Sequence, residues 1–125
     1  MIDPVESAWR RLLQTAGDSG PFSALVLASS AQPLLRRLYP WTGMWELHFS
    51  RCTEPRYTWD IPYVAPSYDR RFRVDGPSRS ESVGEARSVD EALAMVIDRL
   101  PPGCGPAFVG TPQELAMFEE ERGVR

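Results

Sequence analysis

Glu46 and His48 are the residues of this sequence best suited to acid–base chemistry. In a strand, side chains two positions apart leave the same face, about 7 Å from one another at the backbone. An imidazole exchanges protons at neutral pH, and a carboxylate beside it orients the ring or serves as its partner base. We therefore predict His48 and Glu46 as the catalytic residues of an acid–base site. The alternative is that both lie on the solvent-exposed face of a sheet.

Aromatic and basic residues surround this pair. Residues 39–73 hold nine of the thirteen aromatic residues, five of the fourteen arginines and the only histidine. Arg71 and Arg73 alternate with Phe72 and Val74, so both guanidinium groups can clamp one carboxylate or phosphate. The alternatives are arginines that keep a strand edge soluble and aromatic residues that fill a core. The predicted walls of the site are Trp41, Trp45, Trp59 and Tyr63.

Other reaction types lack their motifs in this sequence. It has no serine elbow, no glycine-rich phosphate loop and no HExxH run. A single histidine and two cysteines without CxxC spacing argue against a metal site, and we expect neither a metal nor a cofactor. Cys52 lies about 13 Å from His48 along an extended strand, which argues against a cysteine–histidine pair. We expect both thiols to be reduced.

The composition is that of one cytoplasmic domain, residues 1–125. A hydrophobic fraction of 42% with 25% charged residues is ordinary for a globular chain and argues against disorder. The net charge is −3, and residues 75–125 carry ten acids against five arginines, so we expect no nucleic-acid partner. No apolar run is long enough for a membrane span and the start lacks a signal peptide, so we expect no membrane partner. The absence of lysine is attributed to codon usage.

Capping residues mark three helices. Asp3 with Pro4 begins the first helix, Ser88 begins a third, and Thr111 begins a last one that we predict to end at Gly123. Their apolar stripes identify the faces that are buried. The stripes are Val5, Trp9, Leu12 and Leu13 in the first helix, and Val89, Leu93, Val96, Ile97 and Leu100 in the third.

The pattern between these helices is less decisive. Residues 22–28 (FSALVLA) predict a short buried strand, although a run this apolar also fits a helical turn. Ser29 and Ser30, followed by Pro33, predict a second helix that Pro40 ends. The apolar period changes to two at Met44, which predicts the clearest strand. Further strands are predicted at residues 61–64, 70–75 and 80–87, with one more short candidate at residues 106–109.

These elements predict the fold class α+β, with an antiparallel sheet of about four to five strands covered on one face by N- and C-terminal helices. The helices need an apolar face to cover, and we expect them on the side of Trp45, Leu47 and Phe49. His48 then lies on the opposite side. It forms a site only if residues 57–68, with their two prolines, fold over it as a lid.

Several short runs resemble a family of small actinobacterial proteins usually labelled as natural-product biosynthesis proteins. The runs are PLLR at residues 33–36, LYPWT at 38–42, LHFSR at 47–51, AL at 92–93, LP at 100–101 and GTPQEL at 110–115. The resemblance covers residues 30–115, roughly two-thirds of the chain. Its motifs mark turns, caps and apolar positions, and it carries no catalytic residues over. What it implies is a cytosolic protein of a secondary-metabolite pathway.

Three functions fit these observations, and the sequence leaves open whether the protein is an enzyme. The leading hypothesis is an aromatic pocket that binds a natural-product intermediate or peptide, with a cofactor-free cyclisation, isomerisation or elimination if catalysis occurs. A second is a non-catalytic partner of a biosynthetic enzyme, which the acidic C-terminal helix would help to dock. A third is a self-resistance protein that sequesters a toxic product in the same pocket.

Overall fold

The computed structural model of the protein describes residues 3–123 and has an α+β fold, as the sequence predicts. The five strands of this range form one antiparallel sheet in chain order, so each strand pairs with the next. The strands are β1 (Tyr39–Gly43), β2 (Glu46–Ser50), β3 (Tyr63–Pro66), β4 (Phe72–Asp75) and β5 (Ser82–Ala86). The helices are α1 (Pro4–Ala16), α2 (Pro21–Ala31), α3 (Pro33–Arg36), α4 (Val89–Ile97) and α5 (Pro112–Glu121).

Helix α1 begins where the sequence predicts. The Asp3 side chain accepts a hydrogen bond from the Val5 amide at 2.9 Å, and Pro4 occupies the first helical position, where its missing N–H costs nothing. The helix packs on β1 and buries Trp9 completely. The Trp9 indole N–H donates to the Leu38 carbonyl at 3.1 Å, which fixes the helix to the start of the sheet.

Residues 22–28 form part of helix α2, so the predicted strand is wrong. Pro21 starts the helix, and its solvent-exposed side also carries apolar residues, among them Leu27 at 63% exposure, which removes the helical periodicity from the sequence. Ser29 and Ser30 end α2 rather than opening a second helix. Pro33 instead starts the single turn α3, whose cap is the Gln32 side chain.

Strand β1 was not predicted, and its hairpin with β2 explains why. Met44 and Trp45 form the two-residue turn with φ of 54° and 62°, a left-handed conformation that sequence rules assign to Gly, Asn or Asp. The predicted place of Trp45 on the apolar face is therefore wrong. Its side chain is 76% exposed and packs edge-on against Phe22 at 5.7 Å between ring centroids.

The core lies between the helices and one face of the sheet. Leu47 and Phe49 of β2 are buried there in one cluster with residues of α1, α2 and α4, which confirms the predicted side of helix packing. Neighbouring strands add Val64, Phe72, Val74 and Ala86 to the same cluster. No helix of the described range is long and apolar enough to cross a membrane.

The C-terminal part of the chain returns to the end of β2. Thr111 and Glu114 form the capping box predicted for the last helix, which ends at Glu121 rather than Gly123. The predicted strand at residues 106–109 is a single parallel bridge, in which Phe108 lies beside Cys52. The predicted acidic tail reaches residue 125, and its last two residues lie outside the described range.

Replacing Trp9 by phenylalanine is expected to lower the free energy of unfolding by about 2–3 kcal/mol, because the smaller ring leaves a cavity and the Leu38 carbonyl loses its donor. Urea denaturation at pH 7 measures this loss. Trp45→Phe is the matched control, since that side chain is exposed, and its change should stay within about 0.5 kcal/mol. Equal losses in both variants would contradict the burial of Trp9.

Candidate functional site

Three neighbouring strands each place one ring on the outer face of the sheet, the face away from the helices. Trp41 of β1 lies opposite His48 of β2, and Leu47 lies opposite Val64, which puts His48 beside Tyr63 of β3. The His48 ring stacks on Trp41 at 4.0 Å and on Tyr63 at 4.5 Å between centroids. The strand register therefore assembles an imidazole between two aromatic rings.

Residues 51–62, which we call the cover segment, close over this stack. The Trp59 ring meets the His48 ring edge-on at 5.1 Å, and the Tyr57 ring stacks on Trp41 at 5.0 Å. As a result His48 is only 3% exposed. The predicted lid over His48 is confirmed for residues 57–62, whereas the chain from Tyr63 onward belongs to β3.

Hydrogen bonds tie the cover segment to the end of β2. The Thr58 amide donates to Ser50 Oγ at 3.2 Å, and Thr58 Oγ1 accepts from the Arg51 amide at 2.9 Å. The Arg51 guanidinium donates to Asp60 at 2.7 Å and to Glu119 of α5 at 2.8 Å. Burial lowers the pKa of Arg51, but these two carboxylates outweigh it and raise the pKa above its ordinary value.

Glu46, His48 and Arg79 form a connected polar chain beneath and beside the rings. His48 Nε2 lies 3.0 Å from Glu46 Oε1, and Arg79 Nη1 donates to Glu46 Oε2 at 2.7 Å. Burial by itself raises the pKa of Glu46, but the hydrogen bonds from Arg79 and His48 outweigh it and hold the pKa below its ordinary value. Burial dominates at His48 and lowers its pKa in spite of the hydrogen bond with Glu46.

These pKa directions define the protonation states at neutral pH: Glu46 is ionised and His48 is neutral. An ionised carboxylate only accepts hydrogen bonds, so His48 Nε2 carries the proton and donates it to Glu46. The Nδ1 lone pair is then the position at which His48 can accept a proton. The pair has the chemistry of a general base whose tautomer is fixed by a carboxylate.

The structure brings five of the eight predicted site residues together. These are Trp41, Glu46, His48, Trp59 and Tyr63. Trp45 is not among them, because it lies in the β1–β2 turn and packs on Phe22.

The two arginines predicted as an anion clamp do not converge. Arg71 and Arg73 lie on the outer face, as alternation predicts, but each has its own carboxylate partner. Arg71 donates to Glu85 at 3.0 Å, and Arg73 donates to Asp75 at 2.6 Å. Because each guanidinium is already neutralised, the structure does not support the clamp.

Sequence reasoning missed Arg79, and it left Tyr57 open between lining a pocket and packing in the core. Arg79 lies in the β4–β5 loop, 33 residues from Glu46, and no local pattern connects the two positions. Its guanidinium carbon also lies 5.1 Å from the Tyr63 ring centroid and 5.8 Å from the Trp59 ring centroid. Tyr57 stood in the aromatic-rich stretch, and that density was a usable signal.

The described residues favour neither a metal site nor a reactive thiol. Among them, no group of three or more His, Cys, Asp or Glu side chains could hold a metal ion. Cys52 and Cys104 are free thiols, the first buried and the second half-buried. Burial raises the pKa of Cys104, which disfavours its reactive thiolate.

The fold and site define a small α+β protein with a histidine–carboxylate pair enclosed on the outer face of its sheet. Residues 3–111 match the profile of a protein family described as a family of unknown function, DUF6193. The match spans more than half of the 125 residues, so the chain belongs to this family. No curated protein and no solved structure shows significant similarity to it. The family gives no activity, and the natural-product setting stays a prediction.

Acidification is expected to destabilise the protein through His48. Its folded pKa lies below the ordinary value of 6.5, so the unfolded chain takes up the proton first as the pH falls. The stabilising effect of keeping His48 neutral is complete above pH 6.5 and is lost as the pH falls towards the folded pKa. Urea denaturation between pH 5 and 7.5 should show the free energy of unfolding rising with pH.

His48→Gln is the control for this dependence, because the amide keeps a donor for Glu46 but does not titrate. The chain has no other histidine, so the slope above pH 5.5 should flatten in the variant. Parallel pH curves for the two proteins would show that His48 is not held neutral by burial. Glu46 contributes to the pH dependence of stability at lower pH. Because its pKa is lowered in the folded protein, its ionised form stabilises the fold above pH 4.5, and this stabilisation is lost as the pH falls further.

Arg51→Ala is expected to lower the free energy of unfolding by about 1–3 kcal/mol, because Asp60 and Glu119 both lose a charged donor in a half-buried setting. Amide hydrogen exchange in residues 51–62 should accelerate at the same time. Arg71→Ala removes an exposed pair with Glu85 and should cost less than about 0.5 kcal/mol. Unchanged exchange in the cover segment would refute the anchoring role of Arg51.

Proposed function

We propose that the protein is a cytosolic member of a secondary-metabolite pathway that binds a natural-product intermediate on the outer face of the sheet, at the Glu46–His48 pair. Where the bound intermediate reacts, the reaction is a cofactor-free rearrangement with His48 as the base. The setting rests on the sequence resemblance, and the place of binding rests on the geometry of the site.

The observation that carries the proposal is the burial of an ionised carboxylate and a histidine on a face that the sheet leaves open elsewhere. Elsewhere on that face Arg73 and Glu85 lie in solvent, so the sheet tolerates an open outer surface. At Glu46 and His48 the protein instead adds a covering segment and aromatic rings. Burying charged groups costs stability unless they are paired, and such sites concentrate where function demands them.

A second feature of the same site favours a ligand. The Trp41 indole N–H is buried and has no hydrogen-bond partner among the described residues, although the ring stacks directly on His48. A buried donor without an acceptor is unfavourable by about 1–3 kcal/mol, and an oxygen atom of a bound molecule would remove that cost. A groove of about 260 Å³ is lined by Trp41, Tyr57 and Arg11 of α1, among other residues.

Binding next to His48 requires the cover segment to move, because the rings of the site fill the space around the imidazole. Trp59 is the ring best placed to do so, since it is 46% exposed. A shift of this ring would uncover part of the His48 ring to an intermediate. His48 would then take a proton from carbon or oxygen, and Glu46 would stabilise the imidazolium that results. Cyclisation, isomerisation and elimination all begin with such a proton transfer.

A partner-binding role is the second candidate, and one observation favours it. The β1–β2 turn exposes Met44 at 84% and Trp45 at 76%, in backbone conformations that non-glycine residues rarely adopt. Large apolar side chains at the tip of a hairpin are suited to contact with another protein. Helix α5, beyond the opposite end of β2, exposes Met117 beside three glutamates as a separate surface. The occupant would be a biosynthetic enzyme of the same pathway.

The four tryptophans make the proposed binding site directly testable, since each occupies a different environment. We expect the indole N–H signals of Trp41 and Trp59 to shift in ¹H–¹⁵N spectra when pathway intermediates are added. The signals of Trp9, in the core, and Trp45, in the turn, should stay in place. Turnover is followed in the same samples by loss of the intermediate.

His48→Gln separates the possible roles in this experiment. In an enzyme the variant still shifts Trp59 but no longer consumes the intermediate, whereas in a sequestering protein the wild type binds stoichiometrically without turnover. Perturbation of Trp45 alone, by a pathway enzyme rather than by a small molecule, would favour the partner-binding role. No shift of Trp41 or Trp59 with any intermediate would refute the proposed site.

A further inference from the structure

We propose that the outer-face site binds the cationic group of its ligand, an amine, quaternary ammonium or guanidinium, in the position that the Arg79 guanidinium occupies between Glu46, Tyr63 and Trp59. The inference rests on the proposed function, because it assigns a ligand class to the same site. Arg79 is then an internal occupant that the ligand displaces.

The position of the Arg79 guanidinium has the composition of a cation-binding site. The guanidinium donates to Glu46 Oε2 at 2.7 Å. Its central carbon lies 5.1 Å from the Tyr63 ring centroid and 5.8 Å from that of Trp59. A carboxylate with two electron-rich ring faces attracts a positive charge by ion pairing and by the ring quadrupoles together. An aromatic cage with an acidic residue is a common solution for recognising ammonium groups.

Arg79 can leave this position without disturbing the fold. Its side chain is 55% exposed and belongs to the loop between β4 and β5 rather than to a strand. The loop has its own bonds, since the Gly76 amide donates to the Glu81 carbonyl at 2.9 Å and the Ser78 amide donates to the Glu81 carboxylate at 3.1 Å. Glu46, by contrast, is buried and held by His48, so its carboxylate stays in place and an entering cation can replace the guanidinium as its charged partner.

The charges around the site favour a cation over an anion. Once Arg79 swings away, an entering group faces the Glu46 carboxylate, which repels a second negative charge. The nearest other arginines on this face, Arg71 and Arg73, are paired with Glu85 and Asp75. The competing possibility is that Arg79 itself swings out to hold an anionic ligand, and the experiment includes an anionic arm to detect it.

The test uses three probes of the same shape that differ in charge: choline, 3,3-dimethyl-1-butanol and 3,3-dimethylbutanoate. They are titrated against wild type and Arg79→Ala, with the Trp59 indole signal as the readout. We expect Arg79→Ala to bind choline about tenfold more tightly than the neutral alcohol, and the anion more weakly than either. Wild type should bind choline more weakly than the variant, because the tethered guanidinium competes for the position.

Two further variants make the test specific. Glu46→Gln in the Arg79→Ala background should abolish the preference for choline over the alcohol. Arg71→Ala, which removes an arginine of the same face that lies outside the site, should behave as wild type. Circular dichroism checks folding, and Arg79→Gln, which keeps a donor without the charge, replaces Arg79→Ala if that variant does not fold.

The outcomes distinguish this inference from the proposed function. Equal binding of choline and the alcohol, or tighter binding of the anion, overturns the cation site. Absence of choline binding while a pathway intermediate still shifts Trp59 overturns the cation site and leaves the proposed function standing. Selective binding of choline that requires Glu46, with no shift by any pathway intermediate, supports the cation site and refutes the natural-product role.

Discussion

Strand β2 is buried on both faces, and the rest of the structure depends on this constraint. Leu47 and Phe49 face the helices and need only apolar partners. Glu46, His48 and Ser50 face the other way, where a buried polar group without a hydrogen bond costs about 1–3 kcal/mol. The β4–β5 loop supplies a hydrogen-bond partner for Glu46. Rings of β1 and β3 enclose His48, and the cover segment forms a hydrogen bond with Ser50. Three polar side chains thus organise four separate parts of the chain.

The fold class could be predicted because its signals are local. Helix caps and the alternation of β2 depend on a few neighbouring residues, and the structure keeps them. The prediction for residues 22–28 was wrong because α2 carries apolar residues on its exposed side too, so its sequence shows no apolar stripe and resembles that of a buried strand. Strand β1 was missed because Met44 and Trp45 turn the chain without glycine or asparagine. Both errors arise where the local sequence lacks the pattern that usually marks the element.

The candidate site was predictable as a location and not as a set of interactions. Alternation placed Glu46 and His48 on one face, and the density of aromatic residues indicated that this face would be covered. The lowered pKa of Glu46 depends in part on Arg79. The sheet topology brings Arg79 to Glu46, and no residue near Glu46 in the sequence indicates this contact. The anion clamp failed for a related reason, since the partner of Arg71 is set by the pairing of β4 with β5.

The order of the strands also determines how the molecule assembles. Every strand pairs with its neighbour along the chain, and apart from the cover segment between β2 and β3 the connections are short, so the entropy lost in closure is small. Such local pairing favours rapid folding. The parallel bridge between Cys52 and Phe108 is different, because β3, β4, β5 and α4 lie between the two residues. We therefore expect the C-terminal segment to dock late against the end of β2, so that weakening α5 would accelerate unfolding more than it slows folding.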